Sequence, residues 1–175
     1  MPERITANEI TFREMSEEQA VKTFEDDRYF DYQKRAMRYG KKLPSDSIWA
    51  TSPAKMFVAF YKEKPVGVIG YSTYRKYLLG AGIHVRKEYR GKGISDILIK
   101  KIIKEKGNKT LLVNIGNMGI SSTYRKNGFK DMEIESLPEE LKQEALLRQK
   151  AQPLDQVQKW MMMKPSKWME VLKWN

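Results

Sequence analysis

Two hydrophobic periods alternate along this chain. Ile10-Thr11-Phe12-Arg13 alternates apolar and polar residues, and with Glu14 it reads as a first strand. Ser16-Glu17-Glu18-Gln19 forms a capping box, so a helix should begin at about Glu17, with Ala20, Val21 and Phe24 as its apolar stripe. A second helix is expected from Tyr29 to Tyr39, ended by Gly40, and the stretch from Gly40 to Lys55, with two prolines, reads as a loop. Met56–Tyr61 and Val66–Tyr74 are strands joined at Lys62-Glu63-Lys64-Pro65, and Arg75-Lys76 turns the chain into a further strand, Tyr77–Arg86. Ile94, Ile97, Leu98 and Ile102 recur at helical spacing, and Gly107-Asn108 stops that helix after Lys106. Thr110–Ile115 is apolar enough for a buried strand, Asn117 suits the N-cap of a short helix, and Phe129–Glu135 reads as a strand. Ser136-Leu137-Pro138-Glu139 opens another helix, at about 137–150, that Pro153 interrupts. Gln158–Met163 is a last strand and Ser166–Trp174 a terminal helix. The order is β-α-α-β-β-β-α-β-α-β-(α)-β, with no repeat and no clear linker, which predicts one domain over residues 1–175.

The junction between the fourth strand and the helix at Ile94 carries the clearest chemistry. Arg90-Gly91-Lys92-Gly93-Ile94-Ser95 places two glycines between a strand and a helix. Glycines let backbone N–H groups approach a ligand closely, and the helix start adds unpaired N–H groups and a positive dipole end. A phosphate or diphosphate is the expected guest. The dinucleotide pattern G-x-G-x-x-G lacks its third glycine here, and the nucleotide loop G-x-x-x-x-G-K-[S/T] is absent.

In that context Ile83-His84-Val85-Arg86-Lys87-Glu88-Tyr89-Arg90-Gly91-Lys92-Gly93-Ile94-Ser95 resembles the cofactor motif of the GNAT family of N-acetyltransferases, [Gln/Arg]-x-x-Gly-x-[Gly/Ala]. Arg90 and Gly93 fill its first two positions, and Ser95 departs from the third while remaining small. Asn117-Met118-Gly119-Ile120-Ser121-Ser122-Thr123-Tyr124-Arg125-Lys126-Asn127-Gly128-Phe129 is similar to the family's later motif, an Asn opening a helix, a Tyr seven residues on and a closing Gly-Phe. The resemblance implies a mixed α+β fold, a central, mostly antiparallel sheet of about six or seven strands flanked by helices. The helix at about 137–150 departs from the shorter connection usual in that family.

The resemblance also implies roles. Acetyl-CoA would be the cosubstrate, with no metal. Arg90, Gly91, Lys92, Gly93, Ile94 and Ser95 would hold its diphosphate, Ile83 and Val85 would lie along the pantetheine arm, and Asn117 would belong to the cofactor site. Tyr124 corresponds to the family's usual general acid; a phenol stays protonated at neutral pH and can meet a forming thiolate. The alternative for Tyr124 is a half-buried helix residue. Arg125 and Lys126 are candidates for the adenine-side phosphate, or simply a solvated helix face. Gly80-Ala81-Gly82 marks a bulge, a close approach of backbones, or a tight strand crossing.

The base is open. Leu78-Leu79-Gly80-Ala81-Gly82 offers no carboxylate where many family members carry a Glu. His84, the single histidine, titrates in a suitable range but can equally be a packed strand residue. Otherwise a water relay, Glu25 or Asp31 would serve, or the amine would arrive neutral. Trp160-Met161-Met162-Met163 reads first as core and second as an acceptor wall.

Composition narrows the field further. The chain has 175 residues, 41% hydrophobic and 31% charged, with no cysteine, which excludes disulfides, thiolate metal sites and a cysteine nucleophile. No apolar run approaches the roughly 20 residues needed to cross a bilayer, and Met1-Pro2-Glu3-Arg4 lacks a signal-peptide core. A cytoplasmic place and no membrane partner are the expectation; a homodimer stays open. A net charge of +11 favours polyanionic partners or merely keeps lysine-rich faces solvated. Two functions follow. One is an N-acetyltransferase acting on a primary amine, tilted toward an acidic or nucleic-acid-borne acceptor. The other is a degenerate module on the same scaffold that binds an acidic partner or nucleic acid.

Overall fold

The computed structural model describes residues 3–27, 30, 54–115, 118–151 and 159–165. The expected helices at Tyr29–Tyr39 and Ser166–Trp174, the loop before Lys55, and Asn117 and Asp31 lie outside the described residues. Seven strands form one sheet in the order β1-β2-β3-β4-β5-β7-β6. They are β1 (Ile10–Ser16), β2 (Lys55–Tyr61), β3 (Lys64–Tyr74), β4 (Tyr77–Val85), β5 (Thr110–Ile115), β6 (Lys130–Met132) and β7 (Lys159–Met163). The helices are α1 (Glu17–Thr23), α2 (Ile94–Lys106), α3 (Met118–Lys126) and α4 (Glu139–Ala151). None of the described helices is long and apolar enough to cross a membrane.

Local chemistry explains most boundaries. Ser16 caps α1 reciprocally: Gln19 N–H donates to Ser16 Oγ at 3.2 Å, and Ser16 N–H to Gln19 Oε1 at 3.0 Å. The β2–β3 connection is tighter than the sequence suggests. Only Lys62 and Glu63 turn, both at positive φ (47° and 62°), and Pro65 lies within β3 beside a register shift at Ala59/Phe60. The strand expected over Phe129–Glu135 shrinks to Lys130–Met132, because β6 is an edge strand paired only to β7 and the chain then winds into a 3-10 turn at Ile134–Ser136. That turn displaces the Ser136 capping box. The helix starts at Glu139 instead, and the Pro138 carbonyl accepts from Leu141 and Lys142.

The sheet is packed on both faces. α2 and α3 cover one face, burying Ile94, Leu98, Ile99, Ile102, Ile103 and Tyr124 against Phe57, Ile69, Leu78, Val85, Leu111 and Val113. On the other face, α1 and the residue after it set Ala20 and Phe24 on Met56, Val58, Phe60 and Val68. Farther along that face, α4 sets Leu141 and Ala145 on Tyr77, Leu79, Leu112 and Trp160. Trp160, Met161 and Met163 are therefore core, as the first of the two sequence readings had it.

Among the described strands, β4 and β5 make the single parallel pair, and they pair over three positions only: Tyr77 with Thr110, Leu78 with Leu111, Leu79 with Leu112. Beyond them β4 runs on to Val85 beside β3 and β5 runs on to Ile115 beside β7, so the two strands diverge as a fork. α2 and α3 are tied together over one face of this fork. Asn127, 1% exposed, donates through Nδ2 to Asp96 Oδ1 at 2.7 Å and to the Thr123 carbonyl at 2.9 Å. A buried bond to a carboxylate contributes about 1.5–3 kcal/mol. Asn127→Ala is expected to lower unfolding free energy by about that amount in urea titration; an unchanged midpoint would mean the tie is not stabilising.

Candidate active site

The fork is built by a phase change in β4. Opposite β3, Gly70 pairs with Gly82 and Tyr71 with Gly80, so Ala81 has no partner and Gly82 adopts φ 114°. This bulge shifts the side-chain alternation by one residue. Leu78 packs against α2 and α3, and beyond the bulge so do Ile83 and Val85, whereas His84 turns to the α1 face. Gly80 answers to a second constraint: a Cβ there would stand 2.7 Å from Val113 Cγ1. Gly80-Ala81-Gly82 thus combines a bulge with a close approach of two strands. Past the pairing with β5, the outward main-chain N–H and C=O groups of β4 face the open fork.

At the far end of β4 the chain makes a 3-10 turn, Lys87–Tyr89, and enters the glycine turn. Gly91 and Gly93 both take left-handed conformations (φ 77° and 88°), and Gly93 is the N-cap residue of α2. The first intrahelical bond runs from Ile97 N–H to the Gly93 carbonyl at 3.2 Å. The N–H groups of Ile94, Ser95 and Asp96 precede it and have no acceptor inside the helix. Lys92 N–H turns back to the Tyr89 carbonyl at 3.4 Å, and its ammonium sits 5.3 Å over the Tyr89 ring. Arg90 folds its Nε onto the Val85 carbonyl at 3.0 Å, so it secures the end of β4 as well as carrying charge.

Two further braces were not visible in the sequence. Ile5 N–H donates to the Lys92 carbonyl at 3.1 Å, while Ile5 itself is core. The Arg4 guanidinium lies 3.9 Å from Asp96, and Lys100 reaches the same carboxylate at 3.6 Å. The negative charge in the first turn of α2 is thereby offset by two cations and the Asn127 amide.

Tyr124 is 5% exposed and meets the Phe129 ring edge-on at 5.0 Å. It lines a small apolar cavity with Leu78, Gly80, Leu111, Val113 and Phe129, at the closed end of the fork. Burial pushes its phenol well above the ordinary tyrosine range, so it is protonated at neutral pH. Tyr71 lines the same cavity, but its hydroxyl is committed to Glu14. Arg125, on the exposed face of α3, pairs with Asp131 at 3.0 Å.

His84 lies across the sheet from Tyr124, against the contacting rings of Phe24 and Phe30, with Nε2 2.8 Å from Asp27 Oδ2. Burial pulls its pKa below the ordinary histidine value and outweighs the opposing pull of Asp27; Arg90 and Arg86 add to the lowering. A neutral imidazole facing a carboxylate must carry its proton on Nε2, which leaves the Nδ1 lone pair available. The neighbouring Asp26 pairs with Arg86 at 2.6 Å, so consecutive carboxylates after α1 grip His84 in β4 and Arg86 just past its end. Of the carboxylates the sequence offers as a base, Glu25 is exposed and Asp31 lies outside the described residues; Asp27 reaches His84.

Residues 52–131 match the family model described as Acetyltransferase (GNAT) domain. No curated protein matches the sequence. Solved structures share the fold at low identity. A GNAT family acetyltransferase from Elizabethkingia anophelis with acetyl-CoA bound is 15% identical, with TM-score 0.57, covering 90% of this chain and 99% of that one. An aminoglycoside N(6')acetyltransferase from Legionella pneumophila is 16% identical, with TM-score 0.57 and coverage of 95% and 96%. The ribosomal-protein-S18-alanine N-acetyltransferase of Escherichia coli is 14% identical, with TM-score 0.53 and coverage of 88% and 91%.

The depressed His84 pKa has a thermodynamic sign. Above the unfolded value, about 6.5, both states hold a neutral ring. As pH falls through it, the unfolded chain takes up the proton first and the native state loses relative stability. Urea midpoints measured from pH 7 to 5 should therefore fall more steeply for the wild type than for His84→Gln; parallel curves would show that the ring titrates normally.

Proposed function

We propose that this chain, which carries a GNAT acetyltransferase domain, moves an acetyl group from acetyl-CoA to a primary amine by direct attack. One observation carries the reading: the fork between β4 and β5 opens directly toward a glycine turn whose following helix begins with unpaired N–H groups. A diphosphate would sit against Gly91, Lys92, Gly93, Ile94 and Ser95, with Arg90 at the rim. The pantetheine arm would then follow the open edge of β4 past Val85 and Ile83, as a further strand would. Main-chain N–H groups there stand ready for the carbonyl oxygen as it gains charge in the tetrahedral intermediate.

Acid and base would act from opposite faces of the fork. Tyr124, protonated and buried, would donate its hydroxyl proton to the departing thiolate on the α2–α3 side. His84, neutral and held by Asp27, would accept the amine proton at Nδ1 on the α1 side, directly or through one water. The Asp27–His84 pair would put a candidate base on β4, which carries no carboxylate, and this favours catalysis over a degenerate binding module. The excess of positive charge favours an acceptor with acidic surroundings over a polyamine.

Two substitutions test this. Tyr124→Phe should lower turnover by about 10²–10⁴-fold while calorimetric affinity for acetyl-CoA stays unchanged; full activity would take Tyr124 out of the mechanism. Gly93→Val imposes a β-branched side chain at φ 88°, where a Cβ stands 3.3 Å from Arg4 Nε, and so distorts the turn that would hold the diphosphate. Acetyl-CoA should then no longer raise the melting temperature of the folded variant, and an undiminished shift would move the cofactor away from this turn.

A further inference from the structure

We propose that the end of the sheet opposite the glycine turn is a docking face for the phosphate backbone of a nucleic-acid duplex. The strand register assembles this face from segments far apart in sequence. Tyr74 pairs with Tyr77, Tyr77 with Thr110, and Leu111 with Met163, while Lys130 lies beside Met162. The β3–β4 turn, the start of β5, the end of β7 and the start of β6 therefore line up at one end of the sheet. Each brings cations there: Arg75 and Lys76, Lys109, Lys164 and Lys130. Lys109 is half-buried and the other four are exposed. The strands β4, β5, β7 and β6 are neighbours in the sheet in that order. At about 4.8 Å per strand the row is about 14 Å long, a length over which one strand of a duplex presents about four phosphates.

These cations are held in place. Lys109 Nζ donates to the Arg75 carbonyl at 2.9 Å, which keeps the two charges side by side. The Arg75 guanidinium lies 5.4 Å over the Tyr74 ring, and the Lys76 ammonium 5.3 Å over Tyr77. The nearby carboxylates are engaged at the flanks: Glu140 stands 3.8 Å from Lys76, and Asp131 is taken by Arg125 and Lys159. Among the described residues no carboxylate pairs with Arg75, Lys109, Lys130 or Lys164. Like charges held together repel, and a polyanion relieves that repulsion while releasing its own counterions. The face suits a duplex better than a single strand, which uses aromatic platforms to stack its bases. Tyr74 is half-buried beneath Arg75, and Leu146 is the large hydrophobic side chain left exposed among the described residues. The nine residues of β4 separate this face from the glycine turn, about 30 Å at 3.3 Å per residue. A duplex docked here leaves the acetyl-CoA entrance uncovered, so the inference stands independently of the acyl-transfer reading.

Fluorescence anisotropy of the full chain with a labelled DNA duplex, and with an RNA hairpin of matching stem sequence, tests this. Wild type should bind either probe with an affinity that falls about 10²-fold between about 50 and about 200 mM salt, as about four phosphate contacts require. Arg75→Gln/Lys109→Gln should weaken binding at least about tenfold and lower the logarithmic salt slope by about two. Lys109 also bonds within the fold, so Lys130→Gln/Lys164→Gln is measured beside it; those two side chains make no bond among the described residues, and their loss should act alike. Circular dichroism melts confirm folding, and saturating acetyl-CoA should leave the probe bound. Absence of duplex binding by wild type, or salt slopes unchanged in both folded variants, would overturn the proposal. Release of the probe by acetyl-CoA would overturn it too, by moving the nucleic acid to the glycine turn. Displacement of the duplex by polyglutamate at equal charge concentration would overturn it in favour of an acidic polypeptide.

Discussion

The interaction on which this molecule turns is one that stops. Parallel neighbours in a sheet normally stay paired along their shared length, satisfying every main-chain group. Here β4 and β5 pair for three residues and separate. Gly80 lets the strands meet tightly at the last contact, and the bulge at Gly82 changes the phase of β4 just beyond it. Each strand keeps a partner on its outer side, β3 for one and β7 for the other, so the separation costs main-chain bonds on one edge only. The result, among the described residues, is a pair of strand edges that β4 and β5 do not complete for each other, of the kind a peptide-like ligand can line.

The surroundings of the fork follow from keeping it open. α2 and α3 lie across one face, tied by Asn127 to Asp96. α1 and α4 take separate positions on the other face, each with its own apolar cluster. The carboxylates of Asp26 and Asp27 fix the chain after α1 to β4 beyond the bulge, where β5 no longer supports it. Charge near the glycine turn is arranged by the same economy. Asp96 places a negative charge in the first turn of α2, and Arg4, Lys100 and Asn127 balance it.

Much of this was legible in the sequence, because it is encoded locally. The first strand announced itself by alternation, β5 by an unbroken apolar run, α1 by its capping box, and the turn at residues 90–95 by its two glycines. The fold class and the family resemblance rested on those features and agree with the observed sheet and the domain match. What escaped depends on residues distant in sequence. Nothing around Asp27 distinguishes it from Glu25; only the bulge, by turning His84 toward α1, selects it. The motif singles out Tyr124, but does not show that Tyr71 shares its cavity, with the hydroxyl held by Glu14. The Ser136 capping box failed for a related reason: Leu137, 3% exposed, anchors a 3-10 turn where the local pattern asked for a helix.

The brace between Ile5 and Lys92 reaches from the start of the chain to its middle. Joining segments so far apart carries a loop-closure cost, so contacts of this kind tend to form late in folding. The first segment emerges from a ribosome long before the turn it supports, and the two cannot meet until the intervening strands have assembled. Ligand competence would then be a property acquired at the end of maturation, sparing half-folded chains from capturing a metabolite they cannot yet use.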